Sequence, residues 1–234
     1  MEVIRFTIEG LVNSFRRIET ATYQNTELTP KKTHIAGILT NIMGGVEDFY
    51  YTLLPQIKVG IIPLNLENMF VDLWQYKKWK TANRGRAVVK REKLYHAKYE
   101  VYLEIPVKLK ENVFRALQEP KRPPALSMDD ELVEIKNVSK IDIKKINSNG
   151  ERKSVYSTFP EEWVNSYSFL VYPIKNKLII PPRSATTNLG FNRGPPRRAL
   201  EFLRIVEFFG GYCEIEPKKD GFIYSNGDKN IVMW

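Results

Sequence analysis

Between Gly10 and Leu39 the sequence spaces out side chains suited to holding a chain of phosphates. Ser14 and Arg16 can donate to phosphate oxygens, with Phe15 between them either buried or stacked. Thr20, Thr22, Tyr23, Gln24, Asn25 and Thr26 add hydroxyl and amide donors with little charge. Thr33 is a suitable N-cap for a helix, whose free N–H groups would face an anion. His34 lies beside it as a hydrogen-bonding side chain, and Gly37 leaves room for a backbone or a nucleotide to approach. Gly10, at the end of a preceding strand, allows a tight exit.

A second locus runs Trp74-Gln75-Tyr76-Lys77-Lys78-Trp79-Lys80 and continues through Arg84, Arg86, Lys90, Arg91 and Lys93, with Glu92 as its only acid. Aromatics interleaved with cations suit single-stranded RNA, the cations meeting phosphates and each flat face stacking a base for about 1–3 kcal/mol. Trp74, Tyr76, Lys77 and Lys78 on one arm, and Arg84, Arg86, Lys90 and Arg91 on the other, are the expected contacts. The plainer alternative is a solvated basic hairpin with Trp74 and Trp79 packed at its root. A third locus places Arg183, Arg193, Arg197 and Arg198 around Gly190, Gly194, Pro195 and Pro196. Such a loop can cradle phosphates or meet a protein partner, and its composition favours neither. Asp129-Asp130-Glu131 reads as a solvated acidic turn or partner contact rather than an ion site.

Composition agrees with a polyanionic partner, since the formal charge is +9 and the isoelectric point near 9.4. One cysteine, Cys213, excludes an internal disulfide, and with only two histidines, His34 and His96, no Cys/His zinc site is expected. No Walker loop, dinucleotide fingerprint or nucleophile elbow is present, so neither metal nor cofactor is expected. The N-terminus carries Glu2, Arg5 and Glu9 in place of an apolar signal core, and no stretch reaches the length of a membrane span. A cytoplasmic protein without membrane contact is the expectation.

The elements that must position these residues follow from periodicity. Residues 3–8 alternate as a strand with one buried face, and a polar loop follows to about Lys32. A helix from Thr33 places Ile35, Ile38, Leu39 and Ile42 together and closes at Gly44 and Gly45. Residues 57–64 read as a second strand. Residues 69–80 and 85–93 read as the arms of a hairpin, within an insertion of about 66–96. Residues 99–105 alternate as a further strand, 111–118 form a short helix stopped by Pro120, and 132–146 are β-prone before a turn at Asn147-Ser148-Asn149-Gly150. Beyond Gly150, 167–172 and 177–180 read as strands, 181–196 as a basic loop, and 212–215 and 222–224 as short strands. Arg197, Arg198, Glu201, Arg204 and Glu207 fall at helical spacing opposite Leu200, Leu203 and Val206, which predicts a helix with a charged outer face. The order strand–helix–strand–strand–helix–strand is that of an α+β, ferredoxin-like (RRM-like) domain with an inserted β-hairpin. A boundary near Asn149 divides this domain, 1–149, from a smaller, mixed, β-rich C-terminal region, 150–234.

The N-terminal pattern resembles the CRISPR-associated Cas-five family, a branch of the RAMP superfamily. The residues that carry the resemblance are Gly10, Ser14-Phe15-Arg16, Pro30, Thr33, Gly37 and Leu39. Arg91-Glu92-Lys93-Leu94 and Glu119-Pro120-Lys121-Arg122-Pro123 add two further matches, although Ala125-Leu126-Ser127 departs from the family's usual Leu-Gly. The resemblance covers about the first 135 residues. It implies a non-catalytic Cascade subunit of a type I system that caps the 5′ handle of the crRNA in antiviral defence. It also implies a β-hairpin thumb laid over the guide, with the Cascade backbone subunit, the large subunit and target DNA near the start of the guide–target duplex as partners. Some relatives cut RNA without metal using Tyr, Lys and His, which Tyr95, His96 and Lys93 or Lys98 supply by type. Adjacent residues on a regular strand point to opposite faces, so no catalytic site is expected. A processing endoribonuclease and an assembly subunit that binds mainly protein are the two alternatives.

Overall fold

The computed structural model describes residues 1–18, 20, 23–77, 85–148, 150–172, 178–193 and 198–234. The N-terminal elements are β1 (Glu2–Asn13), β2 (Phe15–Arg16), β3 (Tyr23–Gln24), β4 (Thr26–Glu27), α1 (Lys32–Ile42) and α2 (Glu47–Leu53). They continue with β5 (Lys58–Asn65), β6 (Asn68–Lys77), β7 (Arg86–Glu104), α3 (Val107–Gln118) and β8 (Val133–Asp142). In the main sheet β1 lies between β7 and β8, and β5 joins the far side of β7, every one of these pairs antiparallel. Register sets Ile4 opposite Leu103, Phe6 opposite Val101 and Ile8 opposite Tyr99, so these apolar side chains share one face. That face packs on Ile35, Ile38, Leu39 and Ile42 of α1 and on Val113 and Leu117 of α3.

The other face of the sheet is covered too. Val3, Ile62 and Tyr102 form a second core with Ile143, Tyr224, Ile231 and Met233. β1 therefore has apolar residues buried on both sides rather than one, which alternation within a single strand could not reveal. The C-terminus is tied in directly, since Val59 and Trp234 exchange backbone hydrogen bonds of 3.0 and 3.1 Å. Gly60 makes this approach possible, because a Cβ there would lie 2.4 Å from Ile231 Cγ2 and 3.0 Å from the Val232 carbonyl oxygen.

Several local expectations change. Strand β1 does not end at Gly10 but runs to Asn13, and the space a Gly10 side chain would need holds the Asn13 carboxamide. The expected polar loop contains a small β2–β4 ladder, and its β3 pairs in parallel with Lys90–Arg91 of β7. The N-cap of α1 is Lys31, not Thr33. The Lys31 N–H donates to His34 Nδ1 at 3.0 Å, so a side chain of the first helical turn reaches back to the cap residue and no hydroxyl cap is made. Gly44, at φ +71°, ends the helix as the sequence suggested. β7 is one strand of 19 residues, so the hairpin arm and the third core strand are continuous. The helix expected at 111–118 begins earlier, at Val107.

The C-terminal elements are β9 (Lys144–Ile146), β10 (Lys153–Val155), β11 (Phe159–Pro160), β12 (Val164–Val171) and β13 (Ile180–Asn188). β14 (Phe202–Phe209), β15 (Gly211–Pro217), β16 (Ile223–Ser225) and β17 (Asn230–Val232) complete the chain. They form three small sheets, β10-β15-β12, β11-β14-β13 and β17-β16-β9. The helix predicted through Arg204 and Glu207 is strand β14, buried without interruption from Ile205 to Phe209. Aromatic and β-branched residues dominate that run, and Glu207, counted as an outward charge, points inward. Much of the predicted basic loop is strand β13; Pro181 and Pro182 fall at its register shift, on an edge strand where missing N–H groups are tolerated. Among the described residues no helix is long and apolar enough to cross a membrane.

Candidate nucleic-acid interface

The site is held by a buried ionic brace that joins the segment before α1 to strands β13 and β14. Glu207, fully buried on β14, accepts from the Leu28 N–H at 2.7 Å, the Thr29 N–H at 3.2 Å and the Thr29 hydroxyl at 3.2 Å. It also takes Lys31 Nζ at 2.8 Å and Arg183 Nε at 3.1 Å, and Arg183 reaches on to the Thr26 carbonyl oxygen at 2.7 Å. The turn before α1 is thus positioned by a residue far downstream. Burial opposes ionisation of Glu207, but the Lys31 ammonium and Arg183 guanidinium outweigh it and hold the carboxyl down at about 2. Its neighbour Glu27, facing Arg17 at 3.3 Å, is pushed up to about 8, first by burial and then by the Glu207 carboxylate.

This brace sets α1 along the floor of a groove of about 630 Å³. The outer face of the helix supplies Thr33, His34, Gly37 and Asn41. Arg16, Ala125, Ser127, Met128 and Asp129, with Asn188, Phe191 and Ala199, contribute to the rest of the lining. Space above Gly37 is open, with no atom within 4 Å of where its Cβ would lie. The His34 ring packs on Phe15 at 5.1 Å between centroids. Burial first, and the Lys31 charge second, lower its pKa to about 4, so the ring is neutral. With Nδ1 accepting from Lys31, the remaining proton sits on Nε2, a donor with no protein acceptor among the described residues.

Arg16, Thr33, His34 and Gly37 are therefore brought together, whereas the other N-terminal candidates separate. Ser14 is buried, with its hydroxyl and its N–H on the Glu131 carboxylate at 2.6 and 2.7 Å. Glu131, expected in a solvated turn, is the buried acceptor of this contact. Phe15 is core, packed on His34 and Tyr99. Tyr23 is exposed on β3, and Thr22 lies outside the described residues. Of the third locus, Arg183 serves the brace, Arg193 stands over the Tyr51 ring at 5.9 Å, Arg198 is exposed, and Arg197 lies outside the described residues.

The hairpin of β6 and β7 is in place, with Asn68 opposite Tyr95 and Lys77 opposite Arg86. Lys78 and Arg84 lie outside the described residues. Directly opposed residues share a face, so the mixture read along the sequence becomes two separate surfaces. Phe70, Trp74 and Tyr76 stand with Lys93 and Arg91, whose guanidinium lies 4.9 Å over the Trp74 ring. Val71, Leu73 and Val88 stand on the opposite face with Lys77, Arg86 and Lys90. Arg91 is buried and donates to Gln24, tying the hairpin root to the N-terminal segment.

Tyr95 and His96 do meet, edge to face at 4.6 Å, because His96 has φ +50° and breaks the regular alternation that would separate them. The neighbouring cations are engaged elsewhere. Lys93 Nζ lies 3.5 Å from Glu131 and 4.0 Å from Asp72, and Lys98 Nζ lies 3.3 Å from Glu9.

The family model described as CRISPR-associated protein (Cas_Cas5) matches residues 3–168. The chain belongs to this Cas-five family. Comparison with curated proteins gives no match. The crystal structure of a CRISPR protein from Archaeoglobus fulgidus is similar at TM-score 0.58 over 99% of each chain, with 12% identity. A chain of a CRISPR RNA-guided surveillance complex is similar at TM-score 0.52 over 92% of this chain and 91% of that chain, with 16% identity. At these identities the likeness is one of fold. The match to the Cas-five model takes in β1 to the middle of β12, and so includes the groove floor and the hairpin but not Glu207. The groove and brace residues that local reading missed are Lys31, Asn41, Asn188, Phe191 and Glu207. Glu207 carried a signal as a lone charge within the apolar run Ile205–Phe209, whereas Lys31, among Thr29, Lys32, Thr33 and His34, carried none.

Proposed function

We propose that this Cas-five protein is a non-catalytic subunit of a type I Cascade effector complex that holds the 5′ handle of the crRNA along α1. The observation that carries the reading is the groove that gathers Thr33, His34 and Gly37 of α1 with Arg16 of β2. A strand order of β8-β1-β7-β5, antiparallel throughout and crossed by α1 and α3, supports a ferredoxin-like domain, a frequent platform for RNA. In this reading the β6–β7 hairpin is the thumb. Its Trp74–Tyr76 face lies against nucleic acid near the first guide positions and the start of the target duplex, and the backbone and large subunits dock nearby. The ion pairs that occupy Lys93 and Lys98 support positioning of RNA over cleavage.

Binding of the full chain to RNA carrying the repeat-derived handle at its 5′ end tests the proposal. The same RNA with the handle moved to its 3′ end should bind more weakly, and Arg16→Glu should lower handle affinity roughly tenfold through the lost phosphate contact. Equal affinity for both RNAs, unchanged by Arg16→Glu, would sink the reading.

A further inference from the structure

The groove along α1 is poorly charged for a phosphate track. Its charged lining among the described residues is one cation, Arg16, and two carboxylates, Glu47 and Asp129, in a chain of net charge +9. Carboxylates repel phosphate and accept from base edges, so the groove interior suits a base while the phosphates stay outside it. From Thr33 to Asn41 the floor rises by about 12 Å, room for one or two unstacked nucleotides. The bare surface at Gly37 lets a flat ring lie on the helix, with the half-buried Phe191 on the facing wall.

We propose that this groove reads a single unstacked guanine base, an inference that rests on the RNA-binding reading above. Guanine is the base that offers one carboxylate two adjacent donors, N1–H and the 2-amino group. Asp129, which takes no hydrogen bond or ion pair among the described residues, receives both. The neutral His34 ring, with its proton on Nε2, donates to the acceptor O6 on the same edge. Adenine and cytosine each bring one amino group and uracil one imino group, so none of them satisfies the carboxylate in this way.

The test uses the full chain and a set of eight-nucleotide RNAs, one all adenosine and the others with a single guanosine moved through each position, read by fluorescence anisotropy. One position should raise affinity by roughly tenfold, the discrimination expected of a bidentate base contact. Inosine at that position keeps N1–H, lacks the 2-amino group, and should lose most of the gain. Asp129→Asn should bring the guanosine-to-adenosine ratio close to one. Asp130→Asn, at an exposed neighbour outside the groove lining, should keep the full ratio and controls for folding. Equal binding of every octamer, or an undiminished ratio in Asp129→Asn, would overturn the guanine site and leave RNA binding standing. Failure of all octamers to bind would also overturn the guanine site, while the handle reading stands or falls with the RNAs carrying the handle at the 5′ or 3′ end.

Discussion

Replacing Glu207 with Gln keeps the volume of the side chain and removes the charge that five donors now share. The carboxylate is fully buried, and Lys31 is almost as deeply enclosed, so Gln leaves a buried ammonium without its counter-ion. Breaking a buried pair in this way costs about 3–5 kcal/mol. Glu27 softens the loss, because without the Glu207 charge it can release its own proton and face Lys31 and Arg17 as a carboxylate; the lower end, about 3 kcal/mol, is the expected value. In a chain of this length that lowers the unfolding midpoint by roughly 6–12 °C. Denaturant unfolding of wild type, Glu207→Gln and Glu207→Gln with Lys31→Met measures it. The double variant should recover much of the loss, since replacing both partners removes the orphaned charge. A Glu207→Gln protein within about 0.5 kcal/mol of wild type would refute the brace.

Four further outcomes are expected. The brace is most stable near pH 4.5: Glu207, held at about 2, contributes stability that is complete above 4.5 and lost as pH falls, whereas Glu27, raised to about 8, contributes stability complete below 4.5 and lost as pH rises to 8. Unfolding free energies from pH 3 to 9 should show both limbs, and Glu27→Gln should flatten the upper one. Gly60→Ala drives a methyl group into Ile231 and the Val232 carbonyl, and should cost about 1–3 kcal/mol in denaturant unfolding while loosening the C-terminal strand in hydrogen exchange. Trp74→Ala should weaken single-stranded RNA binding by about 1–3 kcal/mol, whereas Leu73→Ala on the opposite face should leave it unchanged; equal effects would show that the two faces are not functionally distinct. Purified protein incubated with repeat RNA in EDTA should yield no defined product, and a cut abolished by His96→Ala would reverse that expectation.

Periodicity made the main sheet readable wherever one strand or helix could be judged alone. The alternation in 3–8, the apolar stripe Ile35–Ile38–Leu39–Ile42, the glycine closure at Gly44 and the hairpin arms all report local geometry, and local geometry decides them. What failed was set by distant partners. Glu207 was misplaced because a buried carboxylate and a solvated one look identical in sequence, and only Lys31 and Arg183 make its burial tolerable. Thr33 lies inside the helix because the chain turns two residues earlier, at Lys31, whose N–H is taken by His34 Nδ1 and whose ammonium is held by Glu207. The aromatic–cation mixture in the hairpin was visible, but its sorting onto two faces depends on the register of β6 against β7.

The candidate site inherits this division between local and distant determinants. Its floor is a single helix face, on which Thr33, Gly37 and Asn41 follow one another at four-residue spacing. The rest of its lining comes from Ala125, Ser127, Met128 and Asp129 and from Asn188, Phe191 and Ala199, all far from the floor in sequence. The brace at Glu207 connects these parts: the same carboxylate fixes the turn that starts α1 and the strand paired with β13, whose last residue, Asn188, stands in the groove. The groove is therefore tied to an ion pair that lies outside its lining. A substitution at Glu207 should weaken base discrimination along with stability, whereas one at Asp129 should alter discrimination alone, and that contrast separates a positioning residue from a reading one.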